Sequence, residues 1–508
     1  PTNDLVERIV LRTNVDNEII ERDVTSSLKQ NVLTLTPTEV GEHELRITLE
    51  SGRQDRIVFN VMPPIHQLIQ QRVDWLSIHS FEDASGKHPY SFGPVSNQGE
   101  SLGKLSLILM ANLLNPTEKT MAQVRQVEQS AVYYIRQKWF VDGDFGKPAS
   151  LYGDFYRVMD FEYIGHVYYL LSLFGENVLI LNQPTVYLHW AADVFNLRVN
   201  PDMHESQRAK EESQMLGVYF LYIDGLLNDL KAHGMNEDYQ LIKECWDKAV
   251  KRVATDSQSY KAAITEHFYD NAGFGPATGA LANAGYTKAA SRYAELLKAN
   301  IGFSNDFRSQ APDRWWEALS YMIHSLWGGI TAASSLLAYE KMGDTELLRG
   351  AYRAFAGVLY MYDANATTTD RLLKHGEAAS TYSIAGPNIN RPDLSRNRFG
   401  QSVFAQDGGI FTRLFPDGDT GHDDWDMGEE LVAYLTGFGQ KAYVYTKADG
   451  TLGVINGNLV KLRQDEYRVT SYAPYPREIL DVERNRCLKT SSETVRYNIQ
   501  DGFKTDEG

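Results

Sequence analysis

Two cysteines in 508 residues, Cys245 and Cys487, are too few for a disulfide framework or a cysteine-ligated zinc site. No run of about 18 apolar residues occurs, so no membrane-spanning helix is predicted. Basic residues are outnumbered: 50 Lys and Arg face 66 Asp and Glu, for a net charge of −16. Phosphate backbones and anionic bilayers are bound by clustered Lys and Arg, so neither a nucleic-acid partner nor membrane insertion is expected. No HExxH zinc motif, Walker loop or Rossmann glycine fingerprint is present, and no cofactor is expected. The run Asp417-Gly418-Asp419-Thr420-Gly421, followed by Asp423, superficially resembles a calcium loop. The EF-hand template fails there, with His422 where Gly is required and Gly428 where Glu is required. A structural calcium ion of another type is the one metal left open. The chain starts Pro1-Thr2-Asn3, without a start methionine or a basic segment followed by an apolar stretch. It reads as either a trimmed or a processed chain; on the premise that a signal peptide has been removed, a secreted, periplasmic or cell-surface location is expected.

Hydrophobic residues make up 43%, enough for a large core, and aromatics 11%, with 29 Tyr, 21 Phe and 8 Trp. Tyr and Trp join an apolar face to a hydrogen-bonding tip, which suits wet interfaces and sugar-binding clefts as well as packed interiors. Residues 1–62 read as strands, with partial alternation at 6–11, 32–36, 43–49 and 55–61 and a Ser51-Gly52 turn between the last two. Pro63-Pro64 closes this segment, which reads as a small β-sandwich-like module or the last strands of a larger one. From 65 to 447 the pattern is helical and of two alternating kinds. Charge-laced amphipathic helices are predicted at 65–78, 117–139, 185–198, 236–255, 286–299 and 344–361. Helices rich in small and aromatic residues are predicted at 103–114, 157–174, 211–230, 259–269, 315–340 and 425–446. Long connections, at 79–102, 140–156, 199–210, 300–314 and 362–424, all lead from the first kind into the second, and loops of such length are commonly functional. Residues 448–508 return to short strands and a polar tail.

Six outer and six inner helices in strict alternation, with flanking β segments, resemble the (α/α)6 toroid superfamily of six-hairpin glycosidases and polysaccharide lyases. The stretch Asp424-Trp425-Asp426-Met427-Gly428-Glu429-Glu430 looks like the acidic helix opening of six-hairpin-like proteins. The resemblance implies a mainly α fold, an (α/α)6 helical toroid with a small N-terminal β-sandwich-like segment and a short C-terminal β segment. It also implies carbohydrate chemistry in a cleft at the inner-helix N-termini, with a poly- or oligosaccharide as partner.

Hydrolysis of a glycosidic bond needs two carboxyl groups, one acid and one base or nucleophile. Acids stand at several junctions leading into inner helices. Glu317 and one of Asp424 or Asp426 are the first candidates for the pair, with Asp144 next. Acids in a first helical turn also serve as caps. What distinguishes these is the company of Trp315, Trp316 and Trp425, which capping does not require and stacking on sugar rings does. Arg314, His204, Tyr152 and His422 lie in the same connections and are candidate substrate contacts. Elimination from a uronic acid asks instead for a Tyr or His base and a cation facing the carboxylate. Tyr163 and His166, three apart, share a helix face. His375, Arg391, Arg396 and Arg398 lie in the longest loop and could grip an acidic sugar. The sequence therefore favours a glycoside hydrolase, with a polysaccharide lyase as the enzymatic alternative and a non-catalytic glycan-binding protein as the third.

Overall fold

Alternating apolar residues build the N-terminal strands in the computed structural model, which describes residues 4–15, 18–93, 95–256, 271–302, 305–307, 322–363, 374–378, 381–383 and 428–504. The strands are β1 (Val6–Val15), β2 (Glu18–Asp23), the short β3 (Leu28–Lys29) and β4 (Val32–Leu33), β5 (Gly41–Leu49) and β6 (Gln54–Val61). They form one antiparallel sheet in the order β2-β1-β5-β6, with a two-stranded β3-β4 ladder beside it. Ile9 pairs with Ile47 and Leu11 with Leu45, and Ile9, Leu11 and Leu45 are the buried core of the sheet. The sheet is fastened to the helices by polar groups. Tyr360 donates to Glu42 Oε2 at 3.0 Å, Asn60 to Asp363 at 3.0 Å, and Val58 N to Asn305 O at 2.8 Å.

The helices are α1 (Ile65–Trp75), α2 (Gly103–Leu114), α3 (Thr120–Gln129), α4 (Arg136–Trp139), α5 (Asp160–Leu171), α6 (Pro184–Val199), α7 (Gln207–Glu212), α8 (Ile223–Ala232), α9 (Asn236–Asp256), α10 (Asn271–Asn283), α11 (Thr287–Ile301), α12 (Ser325–Met342), α13 (Thr345–Tyr360) and α14 (Glu429–Thr436). A 3₁₀ turn, Val218–Leu221, precedes α8, and a widened turn, Ser130–Ile135, joins α3 to α4. Their contacts follow a circuit: α2 touches α5, α5 the Val218–Leu221 turn, that turn α10, α10 α12, α12 α14, and α14 returns to α2. Outside it, α1 and α3 pack on α2, α6 on α5, α9 on α8, α11 on α10 and α13 on α12. Burial separates the two kinds. All of α5 is buried, whereas α9 buries Ile242, Trp246, Val250 and Val253 along one stripe.

Four elements depart from the sequence-based expectation. The predicted helix 211–230 is divided, with α7 ending at Glu212 and an irregular stretch leading through the Val218–Leu221 turn into α8. Helix α10 occupies Asn271–Asn283, while the predicted 259–269 lies outside the described residues. Its Gly- and Pro-rich sequence reads as loop by propensity, yet Gly275 and Gly279 let it lie against Thr331 and Ser334 of α12. Helix α12 starts at Ser325, after a strand β7 (Met322–His324) that pairs with β8 (Thr381–Ser383). The last helix stops at Thr436, and the remainder of the predicted 425–446 segment is the strand β9 (Lys441–Thr446). Gly437 and Gly439 end the helix, and Ala442-Tyr443-Val444-Tyr445 favours a pleated surface.

Seven further strands follow: β10 (Leu452–Ile455), β11 (Gly457–Lys461), β12 (Glu466–Ser471), β13 (Glu478–Asp481), β14 (Arg486–Lys489), β15 (Thr494–Asn498) and β16 (Gly502–Lys504). They make two four-stranded sheets, β10-β9-β13-β14 and β11-β12-β15-β16. Ala442, Val444 and Ile479 from one sheet share a buried cluster with Val469, Val495 and Tyr497 from the other. The result is a two-sheet unit, more extensive than the short terminal segment expected. Among the described residues no helix is long and apolar enough to cross a membrane.

Candidate active site

Helix α5 opens with Asp160-Phe161-Glu162-Tyr163 and carries His166 one turn later. Its polar side chains are buried, so each needs a partner. Glu162 forms an ion pair with Arg198 of α6 at 2.9 Å, accepts from Val218 N at 3.2 Å, and offers its backbone carbonyl to Tyr222 Oη at 2.5 Å. The Tyr222 ring stacks on His166, with centroids 4.4 Å apart and planes 17° from parallel. Burial, with the carboxylates of Glu162 and Glu429 adding to it, pushes the Tyr222 phenol well above its usual range, so Tyr222 stays protonated.

Helix α14 supplies the other half. Gly428 caps it with φ at 78°, and a Cβ there would stand 2.8 Å from Lys104 N and 2.9 Å from Gly103 O of α2. This close approach needs glycine. The next two residues, Glu429 and Glu430, are fully buried. Glu430 accepts from Tyr362 Oη, and Glu429 Oε1 is hydrogen-bonded to His166 Nδ1. Among the described residues, neither His166 Nε2 nor Glu429 Oε2 has a hydrogen-bond partner. A carboxylate on one ring nitrogen fixes the proton there and leaves the lone pair on the other. In the neutral imidazole Nε2 is then the acceptor.

At the start of α5, Asp160 accepts from Gly99 N at 2.8 Å and Trp139 Nε1 at 3.3 Å. Burial, opposed by the Arg157 guanidinium, pushes its carboxyl up to about 7. Nearby, burial brings Lys138 down to about 8, and its ammonium donates to Ser96 O at 2.7 Å.

Of the residues singled out in the sequence, Tyr163 and His166 fall together, both buried on α5. Asp144 does not join them. It sits half-exposed on a turn, accepting from Gly146 N at 2.9 Å beside Lys147 at 3.3 Å, and these contacts hold its carboxyl below the usual range. It lines an open pocket of about 480 Å³ with Arg136, Asp193 and Asn196, against the outer helices α4 and α6. His204 has both ring nitrogens engaged, by Tyr156 Oη at 2.8 Å and Leu197 O at 2.7 Å, and burial lowers its pKa, so it serves the packing of that loop. Tyr152 donates to Asn97 O at 2.9 Å and stacks on Phe155, tying two long connections together. His375 is exposed, and its neighbour Gly376 packs on Gln71 and Trp75 of α1. Arg314, Trp315, Trp316, Glu317, Arg391, Arg396, Arg398, His422, Asp424, Trp425 and Asp426 lie outside the described residues, as does the Asp417–Asp423 loop.

Sequence reasoning missed Glu429 and Tyr222 as site residues. The signal for Glu429 was present, a glycine and two acids opening an apolar helix, but that is also how a helix is capped. For metals, His189, Asp193 and Asp238 are the one group of suitable donors among the described residues, on the outer helices α6 and α9. His189 already faces a carboxylate at each ring nitrogen, Asp238 at 3.2 Å and Asp193 at 3.6 Å.

No family model matches the chain, and no curated protein matches it by sequence. Among solved structures, a polysaccharide lyase is similar with a TM-score of 0.56 and 15% sequence identity, covering 85% of this chain and 61% of that one. The chain thus spans about three fifths of the length of that structure. The likeness concerns the fold, which is polysaccharide-lyase-like.

Proposed function

We propose that the chain is a carbohydrate-active enzyme that cleaves an acidic polysaccharide by β-elimination, and that its helices form an (α/α)6 toroid. The circuit of inner helices with outer partners around it supports the toroid, and the similarity to a polysaccharide lyase supports carbohydrate chemistry on it. The observation that carries the reaction is His166, a buried imidazole bound at Nδ1 by Glu429 and open at Nε2.

In a uronate residue the proton on C5 is acidified by the adjacent carboxyl group. His166 Nε2 takes that proton, the C5 electron pair becomes the C4–C5 double bond, and the C4–O bond to the next sugar breaks. The departing oxygen takes a proton from an acid, for which Tyr163, one turn earlier on the same helix, is the candidate. One of the arginines of the long loop, Arg391, Arg396 or Arg398, would face the substrate carboxylate. Hydrolysis by paired carboxylates is less well supported by the lyase-like fold; of its candidates Asp144 lines the outer pocket, and Glu317, Asp424 and Asp426 lie outside the described residues.

Incubation with a panel of acidic polysaccharides tests the proposal. Elimination raises ultraviolet absorbance through an unsaturated uronide. New reducing ends without that absorbance would mean hydrolysis, and binding without turnover a glycan-binding protein. His166→Ala should lower the rate at least about 100-fold, the usual share of a general base, with the circular dichroism spectrum unchanged.

A further inference from the structure

We propose that Tyr90 and Tyr133 form an aromatic platform on the rim beside the first long connection, stacking against a pyranose unit of the polymer away from the site of cleavage. Resting on the polysaccharide reading above, it adds a second contact that makes the chain prefer long substrates.

Two local irregularities meet at this pair. Residues 81–92 form a hairpin-like excursion closed by an antiparallel bridge between Phe81 and Phe92, whose rings lie 5.1 Å apart. Glu82 N donates to Ser91 O at 3.0 Å, Tyr90 N to Glu82 O at 2.8 Å, and His88 N to the Glu82 carboxylate at 2.7 Å, so the excursion is held firmly. Within it Tyr90 has φ at 65°, the left-handed region that a bulky side chain seldom adopts. Such strain persists only where the surroundings impose it. Tyr133 sits on the widened turn Ser130–Ile135, an irregularity concentrated at functional sites. The two rings lie 5.0 Å apart at 45°, and Tyr133 is 46% exposed.

Packing does not account for this exposure. The neighbouring Tyr134 and Trp139 fill the interior side of the same segment, ring against ring at 6.2 Å. Tyr133 instead stays partly in water, and a tyrosine's apolar face and hydroxyl are the combination that meets the C–H face and hydroxyls of a sugar ring. The position fits as well. Lys138 Nζ, just beyond the widened turn, donates to Ser96 O of the connection that feeds α2, the connection in which Tyr90 itself lies.

Affinity electrophoresis of the full chain through gels containing alginate, polygalacturonate or hyaluronan tests this. The wild type should be retarded by at least one polymer. Tyr133→Ala should weaken that retardation roughly fivefold, the worth of one stacking contact of about 1 kcal/mol. Tyr133→Trp should restore it, and the thermal midpoint of both variants should match the wild type, which a packing role would not allow. Equal retardation of the wild type, Tyr133→Ala and Tyr90→Gly would overturn the platform, as would no retardation of the wild type by any of the three polymers. Retardation lost in Tyr133→Ala without ultraviolet product from the wild type keeps the platform and removes elimination. Ultraviolet product with unaltered retardation does the reverse.

Discussion

A buried carboxylate with one oxygen engaged and the other unmatched costs a few kcal/mol unless something polar meets it. Glu429 is in that condition, and the group it does engage is the nitrogen of a histidine whose other nitrogen is open. In the proposed elimination its role would be to hold the imidazole tautomer, so Glu429→Gln should lower kcat roughly 10- to 100-fold, as the loss of an orienting partner typically does, while KM changes little. A matching fall in affinity would assign Glu429 to substrate binding instead. Asp160 gives a different test at the same scale. Its folded-state pKa is raised to about 7 from an ordinary 3.8, so between those values the folded chain keeps a proton that the unfolded chain has released. Stability is therefore greatest below pH 4 as far as this group is concerned, and is lost as pH rises through 7. In Asp160→Asn that part of the pH dependence should vanish, read from urea midpoints at pH 5 and 8.

At the scale of the element, small residues decide how closely the inner helices approach. A Cβ on Gly329 of α12 would stand 2.4 Å from Glu430 Cβ and 2.7 Å from its Cα, with backbone that cannot step aside. Gly329→Ala should cost about 1 to 3 kcal/mol by overpacking, visible in the denaturation midpoint, and should disturb Glu429 next door. The alternation of charge-laced and small-residue helices was legible because amphipathic periodicity records which face a helix buries. Helix α10 was not legible, because Asn271-Ala272-Gly273-Phe274-Gly275-Pro276 is locally a poor helix and only its neighbour α12 makes those glycines useful. Strand β9 was misread for the opposite reason, since four apolar residues in a row, Ala442 to Tyr445, carry no period that separates strand from buried helix. His166 was visible as a polar residue on an apolar helix. Its partner Glu429 lies 263 positions away, and no sequence pattern spans such a distance.

For the whole molecule, buried polar contacts join the N-terminal sheet to the helices among the described residues. Tyr360→Phe removes the donor to Glu42 and should cost about 1 to 3 kcal/mol, with protease cleavage near residue 62 accelerated before the helices melt. Unchanged cleavage there would mean that other contacts carry the joint. The meeting of α14 with α2 has a consequence for synthesis. The first small-residue helix to leave the ribosome gains its last neighbour only when Gly428 and the residues after it have emerged. Until then a nascent chain presents an open seam of apolar side chains, and folding waits on one of the longest sequence separations in the molecule. Chaperone dependence should therefore drop sharply once translation passes the final helix, and fragments ending before residue 428 should aggregate rather than fold.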